Sequence, residues 1–172
     1  MRLIDTKNLP SDTVQLARID FSENSGEHFL LFRREETLII LNKYPAQPWK
    51  LRDKWIDTDE AGYNLSQLEL PIKALSWIIK TIENDFWKKP SEGGLPRDAL
   101  HVDNVIENED LRIRFTPNCG AENVKGLTIK NYSRKGKGRD WQEMQLPYSL
   151  LREDGMLDLL KKVNLQYQDA TL

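Results

Sequence analysis

The segment Leu65-Ser66-Gln67-Leu68-Glu69-Leu70 carries the apolar and polar alternation of a strand, and Pro71 follows where a helix's first turn tolerates a missing N–H. Beyond it, Ile72, Leu75, Ile79, Ile82 and Phe86 recur at three- and four-residue steps. That spacing predicts a helix with one apolar face, ending near Trp87 ahead of Pro90 and the Gly93-Gly94 pair. The unit recurs downstream. Gln142-Glu143-Met144-Gln145-Leu146 leads into Pro147, and Leu151, Met156, Leu159, Leu160 and Val163 supply the second apolar stripe. Gly155 and the Arg152-Glu153-Asp154 run predict that this helix is broken or starts late, because glycine costs about 1 kcal/mol relative to alanine in a helix interior.

Further strands are expected at Val14 to Phe21, His28 to Arg33, Thr37 to Lys43, Ala99 to Ile106, Leu111 to Phe115 and Val124 to Tyr132. Turn clusters separate them at Asn24-Ser25-Gly26, Arg34-Glu35-Glu36, Glu107-Asn108-Glu109-Asp110 and Asn118-Cys119-Gly120. The third strands share a short match, Leu38-x-Ile40-x-Asn42 against Leu127-x-Ile129-x-Asn131. The predicted class is α+β: two tandem four-strand-plus-helix (ββββα) units, with antiparallel sheets each covered on one face by a helix. The first unit spans 1–89, a Pro/Gly-rich connector 90–97, and the second unit 98–172.

Composition narrows the function classes. The 172 residues suffice for one ordinary domain or two half-domains, and a net charge of −2 excludes a body that coats nucleic acid by bulk charge. Any basic function must be local. A single cysteine, Cys119, cannot form an internal disulfide, which favours a reducing compartment, the cytoplasm. The first residues lack an apolar signal core and no stretch approaches the roughly 20 apolar residues of a membrane span, so no membrane association is expected.

Catalytic signals are poor. His28 and His101 belong to no metal-ligand array and read as strand histidines, and no nucleophile elbow or phosphate-cradling loop occurs. Cys119 reads as an incidental exposed thiol in a turn, and Glu107, Glu109 and Asp110 as loop decoration. A non-catalytic protein without metal or cofactor is expected.

Two successive four-strand-plus-helix units with strand-Leu-Pro-helix junctions, in about 170 residues, resemble the superfamily of the Whirly proteins, the Pur-alpha repeats, the trypanosome mitochondrial guide-RNA-binding proteins and the positive-cofactor-four transcription coactivators. The resemblance implies helices on one side of the sheets and single-stranded DNA or RNA on the opposite surface or edges. It also implies a homo-dimer or higher oligomer.

Period-two alternation then assigns faces. In the second half Leu111, Ile113, Phe115, Leu127, Ile129, Met144 and Leu146 point to the core, leaving Arg112, Arg114, Thr128, Lys130, Tyr132, Trp141, Glu143 and Gln145 on an open face. Interleaved cations and aromatics suit single strands, since Lys and Arg neutralise phosphates while rings stack on bases. From Asn123 to Arg139 the chain carries Lys125, Lys130, Arg134, Lys135, Lys137 and Arg139 and no acidic residue. A solvated hairpin tip is the alternative reading of that run. The first half presents Asp20, Ile39, Leu41, Lys43, Gln67 and Glu69, a more apolar set suited to packing against another sheet or subunit. Between Tyr44 and Tyr63, Trp49, Lys50, Arg52, Lys54 and Trp55 form either a stacking clamp or a docking loop. The leading expectation is single-stranded nucleic-acid binding by phosphate neutralisation and base stacking. The alternative is a scaffolding module that oligomerises through its sheets.

Overall fold

A computed structural model describes residues 2–46, 62–136 and 140–170. Among these residues eight strands form two four-stranded antiparallel sheets, each in sequential order. The first contains β1 (Thr13–Asp20), β2 (His28–Arg34), β3 (Thr37–Pro45) and β4 (Tyr63–Pro71). The second contains β5 (His101–Ile106), β6 (Glu109–Thr116), β7 (Gly126–Lys135) and β8 (Trp141–Pro147). Helix α1 (Ala74–Lys80) runs on into a π-helical turn, Thr81–Phe86, and the second sheet is followed by α2 (Tyr148–Arg152) and α3 (Met156–Ala170). The architecture is mixed α+β.

Local chemistry explains the boundaries. Ile106 pairs with Glu109 across a two-residue loop whose Glu107 and Asn108 have φ of 51° and 63°, the doubly left-handed backbone of the tight hairpin turn that matches strand twist. Pro147 is the N-cap of α2, and Gly155 at φ +80° separates α2 from α3, so the expected break falls where glycine is needed. At the end of the π-helical turn the Trp87 N–H donates to Ile82 O at 3.0 Å. Trp87 packs edge-on against Tyr148 with centroids 6.2 Å apart, and the Arg152 guanidinium lies 4.3 Å over its ring.

One hydrophobic cluster joins the sheets and helices. Leu31, Leu38, Ile40, Leu68 and Leu70 of the first sheet meet Leu111, Ile113, Leu127, Ile129, Met144 and Leu146 of the second, with Leu75, Ile78, Ile82, Leu151, Leu160 and Val163 from the helical segments. Lys161 pairs with Glu83, and the Tyr167 hydroxyl donates to Glu36, tying α3 to the first half.

The other face of the first sheet departs from expectation. Ile39 and Leu41 are fully buried, in a second cluster with Leu30, Phe32, Leu65 and Ile4, and Leu3 packs against it. Gln67 fastens the N-terminal segment by accepting from the Ile4 N–H at 2.9 Å and donating to Arg2 O at 3.3 Å. No second subunit is needed to cover this surface. Among the described residues no helix is long and apolar enough to cross a membrane.

Candidate nucleic-acid interface

The outward face of the second sheet brings together part of the expected set. Tyr132 and Trp141 stand edge to face with centroids 6.3 Å apart. Arg112 and Lys130 lie 5.4 and 5.2 Å from the centre of the Tyr132 ring, and Lys135 lies 3.3 Å from the centre of the Trp141 ring. β6, β7 and β8 supply these side chains from adjacent positions: Arg112 faces Lys130, Lys130 faces Glu143, and Lys135 faces Trp141. Acids temper the patch. Asp103 takes two hydrogen bonds from Arg112, at 2.7 and 2.8 Å, which hold its carboxyl below the usual range, and Glu143 lies 3.4 Å from Lys130.

The face closes at one end. Gly120 N–H donates to Gln145 Oε1 at 2.8 Å, and Thr128, bonded to Thr116 at 2.6 Å, is wholly buried. Thr128 and Gln145 are therefore not part of an open surface, because the turn after β6 folds back onto this end. Arg114 is exposed. Lys125, also exposed, precedes β7 and so stands at the opposite end of that strand from Lys135. Lys137, Arg139, Trp49 and Lys50 lie outside the described residues, as do Arg52, Lys54 and Trp55.

Arg134 departs from the expected set. The β7–β8 register shifts between Asn131 and Lys135, so Tyr132, Ser133 and Arg134 stand against the single step from Gln142 to Trp141. This bulge turns Arg134 toward the first sheet. Its Nη1 donates to Glu69 at 2.6 Å, while Nε and Nη2 grip Glu109 at 2.8 and 2.7 Å. The same junction seals the outer edge of β4. Glu69 N–H donates to Gln142 Oε1 at 2.7 Å, and Asn131 Nδ2 donates to Glu69 O at 2.9 Å, so two side-chain amides replace a ladder partner. Burial pushes the Glu109 carboxyl up, but the hydrogen bonds from Arg134 and Asn131 outweigh it and leave the group below its ordinary value. Glu109 is thus a structural anchor and not loop decoration.

Cys119 is also corrected. It is buried, and burial, with the charge of Glu27 adding to it, pushes the thiol up to about 12. A protonated, enclosed sulfur is a packing atom. Among the described residues no group of three or more His, Cys, Asp or Glu side chains is placed to hold a metal ion. No protein-family model matches the chain, and no curated protein or solved structure matches it.

Proposed function

We propose that this chain is a non-catalytic protein that binds single-stranded DNA or RNA on the outward face of its second sheet. The observation that carries this reading is the contiguous set of Tyr132 and Trp141 with Arg112, Lys130 and Lys135 against their rings. A base stacks on each ring as the cation resting against it swings outward to an adjoining phosphate. Arg114 extends the charge along β6, and Lys137 and Arg139 extend it in sequence beyond Lys135. Arg134 has no part in it. Base-edge readout is minor, so sequence preference is weak.

The reading includes a repeated ββββα unit, each sheet covered by its helical segment. Support comes from the matching element order and from the shared Leu-x-Ile-x-Asn register of β3 and β7. Assembly as a homo-dimer or larger oligomer in the cytoplasm belongs to the same reading.

Fluorescence anisotropy with labelled single-stranded thymidine and uridine oligonucleotides, titrated across salt, tests it. Binding should weaken with salt, and K130A/K135A should lower the logarithmic salt slope by up to about 1.4, the value for two full phosphate contacts at about 0.7 each, less the share of Lys130 held by Glu143. Absence of binding at low salt, or a slope unchanged in the double variant, refutes the assignment.

A further inference from the structure

We infer that a cavity where the two sheets meet is a binding site for a small organic dication, a molecule bearing guanidinium or primary ammonium groups and no carboxylate. The two sheets have the same register around one asparagine each. Asn42 in β3 faces Phe29 and Ser66, and Asn131 in β7 faces Leu111 and Gln142. Two residues before Phe29 and two before Leu111 stands a glutamate, and each asparagine donates to it. Asn42 Nδ2 reaches Glu27 Oε1 at 2.9 Å, and Asn131 Nδ2 reaches Glu109 Oε2 at 2.5 Å. Stepping along β4 and β8 from Ser66 and Gln142, Gln67 and Glu69 correspond to Glu143 and Gln145.

The corner around Asn131 is filled from within the chain, because the residue three places on is Arg134, whose guanidinium takes Glu109 and Glu69. The corner around Asn42 lacks that filling. Three places on stands Pro45, and where Gln142 reaches across to β4 the counterpart is the short Ser66. A cavity of about 510 Å3 results, walled by Glu27, Asn42, Ser66, Glu143 and Gln145. That volume lies within the range of small-molecule sites.

Its chemistry selects a cation. Glu23, Glu27 and Glu143 line it, and its described lining residues include no Lys, Arg or His. Among the described residues, Glu143 alone of the three is paired, with Lys130 at 3.4 Å. Glu27 is held in place by two amide donors, Asn42 at 2.9 Å and Asn24 at 2.6 Å, which orient the carboxylate without neutralising it. Asn42 Oδ1 is buried in the same wall with no hydrogen-bond partner. An external guanidinium does at this corner what Arg134 does at the other, and a second cationic group meets the remaining carboxylates. A ligand carboxylate finds no partner there.

Agmatine, a guanidinium and an ammonium on a four-carbon chain, is the probe. Calorimetric titration and thermal unfolding on the full chain at fixed ionic strength should show saturable binding and a raised Tm. Glu27→Gln should weaken binding about tenfold or more, the scale of one charge-assisted hydrogen bond. Ser66→Gln, which lengthens the side chain toward the cavity, should abolish binding independently of Glu27. Arginine should bind more weakly than agmatine. No saturable binding at millimolar agmatine overturns the site, as does equal affinity in wild type and both variants, or arginine binding as well as agmatine.

Discussion

Removing Arg134 should damage stability far more than removing any other surface-strand cation. Its side chain is 25 % exposed, and the carboxylates it holds are 11 % (Glu69) and 17 % (Glu109) exposed, so solvent screens these pairs poorly. Arg134→Ala leaves both acids charged at the sheet junction. Breaking a buried ion pair from one side costs about 3–5 kcal/mol. Here the residual exposure and the Arg34 guanidinium, 3.7 Å from Glu69, reduce that to about 2–3 kcal/mol. For a chain of this size the loss corresponds to a drop in Tm of about 4–12 °C. Urea unfolding followed by circular dichroism measures it, with the m-value confirming that the folded state is unchanged.

The pH dependence supplies a sharper check. Glu109 is depressed in the folded protein, so its contribution is present above its ordinary value of 4.5 and is lost as pH falls through the lower folded value. In Arg134→Ala the guanidinium's hydrogen bonds are gone while burial still pushes the carboxyl up, so acid relieves the variant. The stability gap between wild type and variant should therefore narrow from pH 7 toward pH 3. In a Glu109→Gln background the same substitution should cost at least about 1 kcal/mol less. A loss under about 0.5 kcal/mol, or a gap independent of pH, would refute the account of the junction.

Gly126→Ala should destabilise by about 1–3 kcal/mol in the same unfolding assay, because the added Cβ would lie 2.6 Å from both Cys119 Sγ and Leu146 O and 2.8 Å from Pro147 Cα, two of these being backbone atoms that cannot step aside. The Cys119 thiol, at about 12, should resist a disulfide reagent at pH 8 in the folded protein and react only at the rate of unfolding; prompt stoichiometric labelling would contradict its burial.

Alternation, the turn clusters and the Leu-Pro junctions locate the eight strands of the described residues, and Gly155 with the Arg152-Glu153-Asp154 run marks where the second helix is interrupted. These are local signals, decided within a few residues by pleat and backbone sterics. What escapes them is longer in range. Period two puts Arg134 on the same face as Tyr132, and a register shift that no composition announces turns it away. Glu69 and Glu109 meet only because β4 lies along β7 and β8, a docking of sheets that neither strand encodes alone. Ile39 and Leu41 are correctly read as an apolar second face, but the segment that covers them, Leu3 and Ile4, sits some 35 residues away in sequence with no period of its own. The turn composition around Cys119 suggests exposure because it reports the backbone bend and not the depth at which the bend lies.

The near-zero net charge acquires a specific meaning from this distribution. Of the cations in the basic run after Asn123, Arg134 is consumed by Glu69 and Glu109, Lys130 is shared with Glu143, and Arg112 on the neighbouring strand is held by Asp103. A strand of nucleic acid must compete with those carboxylates for each phosphate contact, so counterion release yields less than the residue count suggests. The rings meet no carboxylate, only the cations that rest against them and swing aside for a base, and stacking is worth about 1–3 kcal/mol per base whatever the salt. On the proposed interface Trp141→Ala should therefore cost more affinity than Lys135→Ala, and the difference should widen as salt rises. The opposite order would mean that the face works as a simple charged patch, in which Tyr132 and Trp141 serve only to seat Lys135, Lys130 and Arg112.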